Sequence, residues 1–238
     1  MTEAIQTAAR DGIVTITMDD GKVNALSIPV LQALHDAVND AVDEGRALVL
    51  TGRDRVFSAG FDLQTFMQGP EATLEMIGLG AALAVKLMTA PLPVVTACNG
   101  NSIAMGALLL LAADYRIGVA GAYKIGLNET AVGLIIPGFA VELARQRLSP
   151  AMVHRCLATA ELFDPEVSCR EGFLDELVPA AGLPVAARER ARAMAGFKAA
   201  VFAGTKAKLN GPAITAMQRV IDSEMNIDYV RQTIEAGR

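Results

Sequence analysis

Short apolar runs alternate with stretches of helical periodicity through the first half of the chain. Ile13-Val14-Thr15-Ile16-Thr17-Met18 alternates and predicts a strand, and Asp19-Asp20-Gly21-Lys22 carries turn chemistry. Ser27 caps a predicted helix with Pro29 near its first turn, running to about Glu44 and stopped by Gly45. The apolar run 47–51 predicts a buried strand. A helical stretch over about 73–88 ends before Pro91 and Pro93, and 94–98 predicts a second buried strand. A short apolar helix over 104–112 and a strand over 115–119 follow. Strands alternating with helices imply a largely parallel sheet. After Gly138 the pattern turns helical, at about 139–148, 150–160, 164–171, 183–203 and 212–236, with 174–179 as a short extended link. The chain therefore divides into an α/β core over residues 1–190 and a helical C-terminal region over 191–238.

Composition sharpens this picture. With 238 residues, 52% hydrophobic and 20% charged, the chain can fill a large core and does not read as disordered. A net charge of -5 and the lack of a basic run argue against nucleic acid. Cys98, Cys156 and Cys169 have neither metal-ligand spacing nor a disulfide framework, so free thiols in a reducing compartment are expected. Met1-Thr2-Glu3-Ala4 shows no basic region followed by an apolar stretch, so no secretory signal is expected. The run Ile103 to Ala113 is shorter than the ~20 residues that span a bilayer. The expectation is a cytoplasmic protein without a membrane partner.

Two segments carry candidate chemistry. Phe57-Ser58-Ala59-Gly60-Phe61-Asp62-Leu63 follows the 47–51 strand, and Asn99-Gly100-Asn101-Ser102-Ile103-Ala104-Met105-Gly106 follows the 94–98 strand and opens a helix. Glycine lets a backbone turn approach a ligand closely. Two such turns can each aim one N–H, from Phe61 and Met105, at one oxygen that gains charge, which makes an oxyanion hole. The same grammar also fits two ordinary tight turns. Glu129, among Leu127, Leu134 and Ile135, is a candidate base whose apolar neighbours raise its pKa; it also fits a carboxylate at the start of a helix capped by Asn128.

Other motifs carry less. Gly78-Leu79-Gly80 begins like a dinucleotide fingerprint but lacks the third glycine and lies in a helical stretch, so it reads as helix packing. Ser58 and Ser102 have only His35 and His154 as partner bases, neither in a matching motif. Asp62 reads as a turn or cap residue. Lys206 and Lys208 read as a solvated helix face, with phosphate contact as the alternative. Ile214, Met217, Val220, Ile221 and Met225 recur at helical spacing and would pack on the core or on a partner subunit.

These two turns, with Ala113-Asp114-Tyr115-Arg116-Ile117 and 125–137 in the same order, resemble the crotonase (enoyl-CoA hydratase/isomerase) superfamily. The resemblance runs from about Val14 to Pro179. It implies a spiral of ββα units, a helical trimerisation region and a homotrimer or dimer of trimers. It implies an acyl-CoA thioester as substrate, with coenzyme A arriving as part of it; nothing in the sequence suggests a metal, nicotinamide or flavin. Phe61 and Met105 would form the oxyanion hole and Glu129 the catalytic acid/base. Lys22, Ala25, Leu26, Ser58, Ala59, Gly60, Asp62, Leu63, Gly106 and Leu108 would line the substrate and CoA site. One departure stands out. The family's hydratases use two glutamates on water, and Leu108 occupies the place of the first. A single glutamate is similar to the Δ3,Δ2-enoyl-CoA isomerases. The alternatives are a hydratase helped by another acid, such as Glu142, and a non-catalytic acyl-CoA-binding protein.

Overall fold

The computed structural model describes residues 4–236. The chain opens with an antiparallel hairpin, β1 (Ile5–Arg10) and β2 (Ile13–Met18), turned by Asp11 and Gly12, both at positive φ as a two-residue hairpin turn requires. A repeated plan then follows. The unit begun by β2 continues with β3 (Ala25–Leu26) and α1 (Ile28–Asp43). The next comprises β4 (Ala47–Thr51), β5 (Arg55–Ser58), β6 (Gly60–Phe61), α2 (Leu63–Met67) and α3 (Pro70–Thr89). The third comprises β7 (Val94–Cys98), β8 (Gly100–Ile103) and α4 (Met105–Leu111). A fourth pair, β9 (Tyr115–Val119) and β10 (Ile125–Gly126), leads into α5 (Gly138–Arg147), α6 (Pro150–Thr159) and α7 (Pro165–Glu171).

The leading strand of each unit enters one large sheet, in the order β1-β2-β4-β7-β9-β11, where β11 is Glu176–Val178. Within this sheet only the β1–β2 pair is antiparallel among the described residues. The trailing short strands form two small parallel sheets, β10-β8-β5 and β3-β6. The segment 174–179 is thus an edge strand of the large sheet rather than a link, and 57–61 contains two short strands within what reads as a turn.

Both faces of the large sheet are covered, which is why its central strands are continuously apolar. Leu48, Leu50 and Val94 point into the main core with α1, α3 and α4. Ala47, Val49, Val95 and Ala97 pack instead beneath Leu183, Ala187 and Ala191 of α8 (Leu183–Ala195). A division at 190/191 therefore falls inside a helix that belongs to the sheet. Beyond it, α9 (Ala199–Glu224) is continuous through Pro212, where two helices separated near 203–212 are expected from sequence, and α10 (Ile227–Ala236) follows. Lys206 of α9 is buried, with Nζ 2.7 Å from Asp114 Oδ2, and Met217 is fully enclosed. The C-terminal helices are thus docked on the chain's own core, and Lys206 is occupied there rather than on a solvated face. Helix α3 has the length and apolarity of a membrane-spanning helix, but half of it is packed inside the protein.

Candidate active site

The two glycine-containing turns meet. Gly60 has φ +90°, and a Cβ placed on it would lie 2.7 Å from Ala104 Cβ and 3.1 Å from Met105 N, so only glycine allows this approach. Gly106 is packed as closely on Ser58, with its added Cβ 2.6 Å from the Ser58 carbonyl oxygen. Gly80 makes the third close approach: a Cβ there would meet the Phe61 ring at 2.5 Å, which accounts for it as a packing position, whereas a Cβ on Gly78 would meet nothing within 4 Å.

The donors follow from the backbone. Ala59 N–H donates to Val23 O (2.9 Å), Gly60 N–H to Ser58 Oγ (3.1 Å) and Asp62 N–H to Leu26 O (3.3 Å). Successive amides along a strand face opposite edges, so Phe61 N–H is the one turned away from β3. Met105 is the first residue of α4, where an amide has no carbonyl partner within the helix. Its neighbour Ala104 sits at φ +51°, a conformation rare for a residue with a side chain, which marks a strained turn.

Ala104 N–H also donates to Gly126 O (2.9 Å), tying β10 to this turn and bringing the residues after it into the site. A short 3-10 turn, Thr130–Val132, follows, anchored by Thr130 Oγ1 on Leu157 O. Glu129 stands at its start but makes no capping bond. Its side chain is buried, Oε2 has no hydrogen-bond partner, and burial raises its pKa from 4.5 to about 7. The nearby Cys156 thiol, pushed up to about 12 by burial, stays neutral and places no charge beside the glutamate.

Glu129, Phe61, Phe66 and Leu134 border two chambers. The outer one has about 340 Å³ of space for water-sized molecules and is lined also by Val23, Ala25, Ala59, Asp62, Leu63 and Ala104. The inner one is narrow, about 30 Å³ on the same measure, and almost wholly apolar. Leu108 and Phe139 close one side, Thr73 and Ile77 of α3 another. Met225, Tyr229, Val230, Thr233 and Ile234 form the far wall.

The expected site residues thus divide. Glu129, Phe61, Ala25, Ala59, Asp62, Leu63 and Leu108 line the chambers, whereas Gly60 and Met105 line neither and pack against each other behind Phe61 and Ala104. Leu26, Ser58 and Gly106 are buried behind them, and Lys22 is exposed on the loop before β3. The Asp62 carboxylate caps α2, accepting from Gln64 N–H (3.2 Å) and Thr65 Oγ1 (2.9 Å). Ser58 and Ser102 are fully buried, and His35 bonds instead to Leu79 O at 3.0 Å. Glu142 pairs with Arg145 at 2.7 Å and lines neither chamber. The contribution of α10 is new. Its signal was the i, i+1, i+4, i+5 spacing of Tyr229, Val230, Thr233 and Ile234, which makes one helix face.

The model of one family, enoyl-CoA hydratase/isomerase, matches residues 8–236. The chain belongs to this family. Mouse mitochondrial enoyl-CoA delta isomerase 1 is 30% identical over 182 residues, 74% of this chain and 62% of that protein. The match thus spans about three fifths of that relative's length. Carnitinyl-CoA dehydratase of Salmonella enteritidis PT4 is 27% identical over 81% of this chain and 74% of its own. Among solved structures, the apo form of an Mtb enoyl-CoA isomerase superposes with a TM-score of 0.89 at 38% identity, covering 94% of this chain and 98% of that one. The crotonase-type spiral expected from the sequence is the fold observed. Relatives named for isomerisation and for dehydration stand at similar identity, 30% and 27%.

Proposed function

We propose that this protein moves the double bond of a 3-enoyl-CoA to give the 2-trans-enoyl-CoA, with Glu129 as the one acid/base group. The observation that carries this reading is a buried carboxyl that lines one chamber together with Leu108 and Phe61. The thioester carbonyl would sit at the junction of the chambers, its oxygen on the Phe61 and Met105 amides, with the CoA part in the outer chamber and the acyl tail in the inner one. Ionised Glu129 removes a proton from C2. The C–H electron pair moves into the conjugated system, and the negative charge of the dienolate comes to rest on the thioester oxygen. Each amide there contributes on the order of 3–4 kcal/mol to the transition state. The protonated carboxyl then delivers the proton to C4, and the carboxylate is regenerated. A pKa near 7 suits both halves, because the group must take a proton and give it back.

Hydration asks more of the pocket. Water must be held and activated by a second acid, and Leu108 has nothing to offer it. Glu142 does not compensate while it is paired with Arg145. The assembly of a homotrimer or dimer of trimers belongs to the same proposal, with exposed Phe197, Val201 and Leu209 as apolar surface for it; light scattering of the purified protein tests it. The reaction is tested by ultraviolet absorbance with two substrates. Growth of the conjugated thioester band from 3-hexenoyl-CoA, with no hydration of crotonyl-CoA, is the expected result. Hydration of crotonyl-CoA at comparable rate would transfer the assignment to a hydratase, and saturable binding without turnover would leave a binding protein.

A further inference from the structure

We propose that Ser58 is a positioning residue that sets the Phe61 amide for catalysis, acting through Gly60 and never touching the substrate. Its hydroxyl is fully buried and bonded in both directions: it accepts from Gly60 N–H (3.1 Å) and donates to Asn24 O (2.7 Å). Asn24 is the fixed end of this chain. It sits at φ +54°, and its Nδ2 donates to Met18 O (2.8 Å) and Phe57 O (3.1 Å). Its N–H and that of Ala25 donate to the Asp20 carboxylate at 2.9 and 3.1 Å. The loop before β3 is therefore a rigid frame, and Ser58 transmits its position to the amide next to Phe61.

Gly60 makes this necessary. A glycine at φ +90° has no side chain to hold its own conformation, and the adjoining peptide that carries the Phe61 N–H turns with it. Without the Ser58 hydroxyl, Gly60 N–H loses the buried side-chain acceptor that holds it, and the peptide plane can rotate to seek another. A donor misplaced by a fraction of an ångström stabilises an oxyanion poorly, because the benefit depends on alignment at the oxygen in the transition state.

The inference rests on the placing of the thioester oxygen at the Phe61 amide, and the test separates the two. The measurement is the infrared carbonyl stretch of bound hexanoyl-CoA, isotope-labelled at the thioester carbon, which cannot isomerise. It is taken with wild type, Ser58→Ala and Ser58→Cys, the last keeping a weak donor and acceptor of similar size. The expected result is a downshift on binding to wild type that shrinks in Ser58→Cys and shrinks further in Ser58→Ala. In parallel kcat for 3-hexenoyl-CoA falls about tenfold in Ser58→Ala while KM stays within about twofold, as loss of alignment in the transition state requires. A full downshift in both variants overturns the positioning role and leaves the oxyanion site standing. No downshift in wild type removes the oxyanion site and this inference with it. Should Ser58→Ala not fold, Ser58→Cys decides: an unaltered stretch and kcat refute the role, a reduced stretch supports it.

Discussion

Leu108 and Glu129 border one narrow chamber, the first from α4 and the second from the turn after β10, and the leucine is what leaves the glutamate alone there. A carboxyl without an ionic partner, a hydrogen bond to Oε2 or bulk water is held near neutrality by desolvation.

The dependence of rate on pH follows. In the proposed mechanism the ionised form starts the reaction, so kcat/KM for 3-hexenoyl-CoA should rise with pH through an apparent pKa of about 7 and level off above it. Initial rates from pH 5 to 9 check this. A profile already flat at pH 5 would mean that the working base is an ordinary exposed carboxylate.

Stability should move the other way. Below about pH 4.5 Glu129 is protonated whether the chain is folded or not. Between there and about pH 7 the unfolded chain ionises while the folded one keeps its proton, so rising pH withdraws stability, and above that the loss is constant. From a pKa raised from 4.5 to about 7, the cost is up to about 3 kcal/mol. Glu129→Gln removes it, so the variant should gain unfolding free energy relative to wild type at pH 8 and lose that advantage at pH 4. Urea titrations at the two pH values measure the difference.

The inner chamber makes a prediction about substrate length. Thr233 lies in the wall that α10 provides, so Thr233→Phe shortens the space for an acyl tail. The variant should lose about tenfold or more in kcat/KM for 3-decenoyl-CoA, the scale of a steric clash in an apolar pocket, and stay within about twofold for 3-hexenoyl-CoA. An equal loss for both substrates would place the tail elsewhere.

What could be read from the sequence followed the size of each element's signal. The strands over 47–51 and 94–98 are buried on both faces and were visible as continuous apolar runs. The helix α1 had Ser27, Pro29 and Gly45 to mark it. The second-layer strands β3, β6 and β10 are two residues each, too short for any periodicity, and so 57–61 reads as a bare turn although it holds β5's end and β6. Strand β1 buries only Ile5, and no apolar alternation betrays it; Asp11-Gly12 was the available hint. Gly204, Asn210, Gly211 and Pro212 suggest a break in α9, but packing against the core carries the helix through. At the site, Phe61, Met105 and Glu129 stand out as motifs, and the fold supplies the chambers that Phe61 and Glu129 share and the packing of Met105 N against Gly60. The inward turn of the Ser58 hydroxyl and the wall made by α10 depend on contacts across 34 and more than 100 residues, between Ser58 and Asn24 and between Leu108 and Thr233 respectively, and no local pattern encodes them.

The central claim is that one carboxyl group moves the proton. Glu129→Gln keeps the size of the side chain and removes its ability to do so. Turnover of 3-hexenoyl-CoA by this variant, measured beside its affinity for hexanoyl-CoA, should fall by at least about 100-fold while binding stays within a few-fold of wild type. A variant that still isomerises at near wild-type rate would contradict the account.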